Sequence, residues 1–181
     1  MSMIYLFASD IHGSAYAMHK LLEVFQSSKA SKLILLGDLL YHGPRNDLPY
    51  EYNPKETSRL QNSVKESLIC VKGNCEADVD QMVLEFPVLS DSAIMYLEQL
   101  EGRMMYLHHG HKPLPPLSAG TIVVSGHTHI PVAEGKDGLI FINPGSVAIP
   151  KDGYPATYCI LENRTFRILD FSGTVIKSLT I

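Results

Sequence analysis

In the first half of the chain, short apolar runs alternate with helix signals, and each run stops at a residue able to bind a metal. The first run ends at Ala8 and is followed by Ser9-Asp10-Ile11-His12-Gly13; Leu33 to Leu36 is followed by Gly37-Asp38, and Ser67 to Val71 by Gly73-Asn74-Cys75-Glu76. Runs this short and apolar read as strands buried on both faces. Between the first two, Ser14 is a good N-cap, and Ala15, Met18, Leu21, Leu22 and Phe25 recur at helical spacing, with His19 off that stripe on the solvated side. Asn53-Pro54-Lys55-Glu56 reads as a second helix start, with Asn53 as cap, Pro54 at the first position and Glu56 able to close a capping box. This alternation predicts parallel strands joined by right-handed crossovers, a doubly wound α/β unit whose site lies outside the carboxyl ends of the strands.

The second half reads differently. Ile94 to Leu97 and Met104 to Leu107 are expected strands around a Glu101-Gly102 turn, after which His108-His109-Gly110-His111 and a Pro-rich loop, Pro113 to Pro116, interrupt. Thr121 to Ser125 is a further strand, running into Gly126-His127-Thr128-His129. In an extended segment residues i and i+2 point the same way, so His127 and His129 can face one small volume at metal-ligand spacing, or can be two surface histidines in a turn. Short β-branched runs follow at Val132-Ala133, Leu139 to Ile142, Tyr158 to Leu161, Phe166 to Leu169 and Thr174 to Leu179. Asn143-Pro144-Gly145-Ser146 is a turn. The whole predicts an α/β protein of two packed β-sheets flanked by helices, in one domain over residues 1–181, with no linker or repeat.

Composition narrows the function. Fifteen basic and nineteen acidic residues leave a net charge of −4 with no Lys/Arg run, which argues against an extended nucleic-acid surface. No apolar run is long enough to span a membrane, and the N-terminal run lacks a signal peptide's basic region, so it reads as a first strand. Cys70, Cys75 and Cys159 form an odd set without CxxC spacing, pointing to reduced thiols and a cytoplasmic location, with Cys70 and Cys159 as core. The long Pro- and Gly-rich stretch holding His42, Gly43, Pro44, Arg45 and Asn46 reads as a functional loop, either solvated or in contact with substrate.

Taken together, Asp10-x-His12, Gly37-Asp38, Gly73-Asn74, His109-Gly110 and Gly126-His127-x-His129 resemble, in order and over essentially the whole chain, the signature of the calcineurin-like metallophosphoesterase superfamily. Within it, the short length, the 42–46 loop, Gly73-Asn74-Cys75-Glu76 and Asn143-Pro144-Gly145-Ser146 look like the YfcE-type group of small bacterial phosphodiesterases. The resemblance implies a four-layer α/β/β/α sandwich. It implies that Asp10, His12 and His129 hold one metal, that Asn74, His109 and His127 hold another, and that Asp38 bridges them. The choice of His109 over His108 and His111 rests on that resemblance, and His108 should then point to the opposite side of its strand.

The donor set of imidazole, carboxylate and amide does not choose among Mn²⁺, Zn²⁺, Fe²⁺ and Ni²⁺; the resemblance implies two such ions, Mn²⁺ first. Two such ions would lower the pKa of a shared water and clamp a phosphodiester for in-line attack by the resulting hydroxide, with Asp38, Asn74, Cys75 and His109 at the reacting centre. Cys75 departs from the family pattern, which has histidine there; an ordinary thiol is a poor acid at neutral pH, so it either fills space or takes a shifted role. Arg45 and His42 are the candidate substrate contacts. The expected partner is a small phosphodiester, with no membrane and with self-association left open. A phosphomonoesterase on the same site, or a non-catalytic interaction module of the same fold, are the alternatives.

Overall fold

The computed structural model describes residues 3–181, so Met1 and Ser2 of the expected first strand lie outside the described residues. Its strands are β1 (Tyr5–Ala8), β2 (Lys32–Leu35), β3 (Leu68–Cys70), β4 (Ser92–Tyr96), β5 (Met104–His108), β6 (Ile122–Val124), β7 (Pro131–Lys136), β8 (Leu139–Pro144), β9 (Thr157–Glu162), β10 (Thr165–Asp170) and β11 (Val175–Thr180). Its helices are α1 (Ala15–Ser28), α2 (Pro54–Asn62) and the single turn α3 (Asp78–Gln81). Every expected strand is present, with ends shifted by a residue or two; Pro131 to Lys136 extends well beyond the Val132-Ala133 core.

One sheet runs β11-β10-β9-β1-β2-β3 and the other β4-β5-β6-β8-β7. β1, β2 and β3 are parallel, as the strand–helix alternation requires. β5, β6 and β8 are parallel too, so strands of both sheets deliver their carboxyl ends to one place.

Side-chain alternation sorts the core into two layers. Leu6, Ala8, Leu33 and Leu35 face Met18, Leu21 and Leu60 of the helices. Their alternates Phe7, Ile34 and Leu36 pack between the sheets against Leu107, Val124, Ile142 and Phe166. Each fully buried leucine or phenylalanine contributes about 1.5–3 kcal/mol by leaving water, so the sheet-to-sheet layer pins the strand ends firmly.

The helical layer is one-sided. α1 and α2 contact each other over the first sheet, whereas beyond α3 the described residues contain no α-helix. The two packed sheets flanked by few helices are the fold expected, and the proline-rich Pro113–Pro115 segment runs beside Tyr106 and His108.

The helix starts explain themselves chemically. Ser14 Oγ accepts the Ala17 N–H, and Asn53 Oδ1 accepts the Glu56 N–H with Pro54 in the first turn. The reciprocal bond expected of Glu56 is not made. The Asn53 N–H already donates to the Gly13 carbonyl, and the Glu56 carboxylate turns instead to Arg59, 2.6 Å away, with the exposed His19 ring 3.7 Å off.

Candidate metal centre

The strands stop before the candidate ligands, so the chain turns sharply where the chemistry sits. Asp10, His12, Asp38, His127 and His129 all have left-handed backbones, with φ of 57°, 48°, 56°, 67° and 62°. The extended geometry expected for His127 and His129 is thus corrected. They converge because two left-handed residues curl a turn, not because i and i+2 share a strand face. Such conformations cost of order 1–3 kcal/mol each for a residue with a Cβ. They are held by main-chain bonds that continue the sheets, His12 N–H to Asp38 O at 2.8 Å and Gly126 N–H to His109 O at 2.8 Å.

Two motif glycines are needed for close approach. A Cβ on Gly73 would lie 2.2 Å from Asp38 Oδ1, and one on Gly126 would lie 1.8 Å from Ser9 Oγ. The glycines thus set how near the ligand turns come to one another.

Asp10, His12, His109 and His129 are at most 3% exposed, and Asp38 is 2% exposed. Around Asp10 Oδ1 stand the Nε2 atoms of His129 at 3.2 Å, His12 at 3.7 Å and His109 at 4.0 Å; around Asp38 Oδ2 stand His109 at 3.4 Å and His12 at 3.8 Å. Asp10 Oδ1 has no hydrogen-bond partner, while Oδ2 accepts the His127 N–H at 2.9 Å. Asp38 is oriented likewise, its Oδ1 accepting the Cys75 N–H at 2.9 Å.

The imidazoles are aimed from behind. His12, His109 and His129 each turn Nδ1 to a main-chain carbonyl, of Tyr41, Leu36 and Ile149, at 2.8, 2.6 and 2.5 Å. Donation there puts the lone pair on Nε2, facing the carboxylates. With the imidazoles neutral, acceptors would face acceptors: His12 Nε2 lies 3.3 Å from His129 Nε2, and His109 Nε2 lies 3.0 Å from Asn74 Oδ1. Neutral groups so arranged repel, and a buried carboxylate oxygen without a donor is costly. A divalent cation removes both difficulties, so the residues fit one well.

Asp10, His12 and His129 form one group with donor atoms within 4.8 Å of one another, Asp10, Asp38 and His109 a second, and His12, Asp38 and Cys75 a third. Asn74 points its amide oxygen at His109 while its amide N–H donates to Cys75 Sγ at 3.4 Å. The His127 ring stands 5.1 Å from that of His109. All the expected ligands are therefore brought together.

The charges answer this packing. Burial works against a charged His109, yet its contact with Asp38 and the charges of Asp10 and Asp38 raise its pKa to about 9. His12 moves upward too, burial again opposing and the Asp10 contact prevailing. Burial and the charge of His109 lower His127. Asp10 and Asp38 stay below the usual carboxylate range, because the imidazoles outweigh their burial.

His108 behaves as expected of the discarded histidine. It points away beside Tyr106, ring centroids 5.5 Å apart, and burial, with help from His109 and His111, lowers its pKa to about 4. His111 lies beside His109 and His127, at 5.4 and 6.2 Å between rings.

A cavity of about 470 Å³ opens over the ligands. Its rim carries Arg45, as expected, together with Asn46, Thr128 and Lys151. Lys151 was not anticipated: it lies outside every motif, after Pro150, and reaches the site only because the 143–150 segment folds back over His129. His42 is corrected. It does not line this cavity; its ring is packed edge-on between Tyr41 and Tyr52, at 4.8 and 5.3 Å. Cys75 is half-buried, and burial followed by the Asp38 charge pushes its thiol far above the ordinary value, so it stays protonated.

Two supporting elements were only partly legible. Glu76, the last residue of the third motif, is buried and accepts the N–H groups of Asp38 at 3.0 Å and Leu39 at 2.7 Å. The Asn143–Ser146 turn is structural: Asn143 donates to Gly126 O at 2.8 Å, and Ser146 Oγ donates to Asp10 O at 2.8 Å while accepting the Ile149 N–H.

Known proteins resemble this chain in sequence and fold. The sequence profile of the Calcineurin-like phosphoesterase superfamily domain matches residues 3–165. Phosphodiesterase YfcE of Escherichia coli K12 is 44% identical over 168 residues, covering 91% of this chain and 90% of the relative. The solved structure of the E. coli YfcE phosphoesterase superposes with a TM-score of 0.94 at 42% identity, over 99% of this chain and 100% of that one. Vacuolar Protein Sorting 29 of Cryptosporidium parvum, at 15% identity and a TM-score of 0.64, shares the fold. With its ligand-bearing turns in family order and the family profile running from β1 into β10, the chain belongs to the calcineurin-like phosphoesterase superfamily.

Proposed function

We propose that this protein is a metal-dependent phosphodiesterase acting on a small substrate at a two-metal centre. The observation that carries the reading is the convergence of imidazole lone pairs on two buried carboxylates, with Asp10 Oδ1 left without any hydrogen-bond donor. A relative sharing 44% of the sequence bears the name phosphodiesterase.

Asp10, His12 and His129 would hold one ion, Asn74, His109 and His127 the other, with Asp38 between. Divalent ions so held would supply Lewis acidity to phosphoryl oxygens and an acidified water at neutral pH. Manganese is the favoured ion by resemblance to the family; the set of imidazole, carboxylate and amide, needing no thiolate, accepts Mn²⁺, Fe²⁺ or Zn²⁺ alike.

The protein's own groups do the rest. Asp38 is fixed by the Cys75 N–H and keeps Oδ2 turned inward toward His12 and His109. Arg45 and Lys151 at the rim balance phosphate charge, and the volume of about 470 Å³ suits a small molecule rather than a polymer strand. In the metal-free protein burial and the Asp38 charge keep the Cys75 thiol protonated, and a thiol is a weaker acid toward a leaving alkoxide than an imidazolium. Departure then depends on the leaving group's own acidity, which predicts a preference for acidic alcohols and phenols.

We read residues 1–181 as one domain, because the two sheets share a core. Three free cysteines favour a reducing, cytoplasmic setting, and among the described residues no helix is long and apolar enough to cross a membrane.

The two rim cations also favour a second reading, a phosphomonoesterase on the same site, because a dianion would use both. The test is turnover of bis-p-nitrophenyl phosphate beside p-nitrophenyl phosphate, by chelator-stripped protein with Mn²⁺, Zn²⁺, Mg²⁺ or nothing restored. Metal-dependent turnover favouring the diester is expected. Turnover favouring the monoester selects the second reading, and none with any metal rejects both.

A further inference from the structure

A second cavity, of about 560 Å³, lies beside the first, and Cys75 stands in the wall of both. Its other walls are apolar and come from three directions: Leu40 and Tyr41 from the end of the second motif, Tyr52 from the run into α2, and Val79 and Val83 from α3 and the turn after it. Tyr41, Val79 and Val83 are 43%, 61% and 50% exposed, so water bears on apolar side chains at the very edge of the metal centre.

The frame is fixed. The Tyr41 carbonyl holds His12 Nδ1 at 2.8 Å, and Tyr52 packs on His42 at 5.3 Å. The polar members of the wall are mostly occupied: Asp80 accepts the Ala77 N–H at 2.8 Å and Ser58 donates to the Lys55 carbonyl at 2.9 Å, leaving the Lys55 amine as the wall's cation.

We propose that this cavity seats one organic arm of the substrate, so that the diester this protein cleaves carries an aromatic or similarly apolar ester group. The inference rests on the phosphodiesterase reading and narrows it. A phosphodiester has two arms; with phosphorus beside Asp38, an arm passing Cys75 Sγ enters the apolar cavity directly. A side chain as small as that of Cys75 at this junction leaves the passage between the two cavities open. An imidazole there would be larger and would bring water or charge to the mouth. Burying the arm against Tyr41, Val79 and Val83 would remove apolar surface of both partners from water.

The test is calorimetric binding of phenylphosphonate, methylphosphonate and inorganic phosphate to Mn²⁺-loaded protein, in the native chain and in a Val79→Asp/Val83→Asp variant. Both positions are exposed and outside the metal centre, and thermal unfolding confirms that the variant folds. Phenylphosphonate should bind the native chain about tenfold more tightly than methylphosphonate. The variant should lose most of that preference, with any weakening by the added charges shared by methylphosphonate and phosphate. Equal affinity for the two phosphonates in the native chain, or a preference the variant retains, overturns the proposal. So does a native dimer that the variant dissociates while the phosphonates bind alike, since that gives the face to a second copy. Failure of the diesterase reading is seen separately, as native protein that turns over no bis-p-nitrophenyl phosphate.

Discussion

Single residues divide into those that bind and those that aim. His12, His109 and His129 present Nε2 only because three main-chain carbonyls take Nδ1, and Asn74 presents its oxygen because Cys75 Sγ takes its amide N–H. Cys75 therefore orients a neighbour while remaining protonated. Restoring histidine tests what that exchange costs. Cys75→His should raise turnover of diesters with poorly acidic alcohols relative to that of p-nitrophenyl esters, because proton donation commonly contributes about 10²–10⁴-fold only where the leaving group needs it. Unchanged turnover of the poor leaving groups would show that position 75 has no part in expulsion. The ligands were legible in the sequence because each sits in a short local motif. Lys151 was not, since it depends on a segment distant in sequence meeting the site, and the His42 packing was not, since it depends on how the 41–52 loop folds on itself.

At the scale of elements, the site is a set of turns braced by other turns. Parallel strands were readable from continuous apolar runs, and the helices from their caps. What could not be read was the left-handed backbone of Asp10, His12, Asp38, His127 and His129, because none of these is glycine and the conformation is imposed by tertiary hydrogen bonds. Local chemistry also keeps the helices few: Pro113, Pro115 and Pro116 prevent this connection from becoming one. Bracing is most concentrated at Ser146, whose hydroxyl donates to Asp10 O and accepts from Ala148 and Ile149, the latter holding His129 through its carbonyl. Ser146→Ala should destabilise the fold by about 1–3 kcal/mol and weaken metal binding about 10–100-fold, read by denaturant unfolding and metal titration. Native metal affinity in that variant would show that the turn supports the fold alone.

For the whole molecule, metal and proton compete for one buried cluster. In the metal-free protein His109 is raised to about 9 from an ordinary 6.5, so the folded state binds that proton more tightly than the unfolded chain. Its stabilisation is complete below pH 6.5 and is lost as pH rises through about 9. His108, lowered to about 4, acts in the opposite sense and only below 6.5, so the windows separate. Stripped protein should therefore melt at progressively lower temperature from pH 6.5 to 9, and His109→Gln should flatten that decline; an equal slope in the variant would detach it from His109. Bound metal replaces the proton and stabilises the fold by mass action, which should raise and level the profile.

The most direct measurement is made on Asp38, the carboxylate set between the two clusters. Metal content per chain after equilibrium dialysis against Mn²⁺, measured together with turnover of bis-p-nitrophenyl phosphate, should show two ions and activity in the native protein. Asp38→Ala should lose metal and about a thousandfold or more of its turnover together. An Asp38→Ala protein with near-native turnover would contradict the two-metal account.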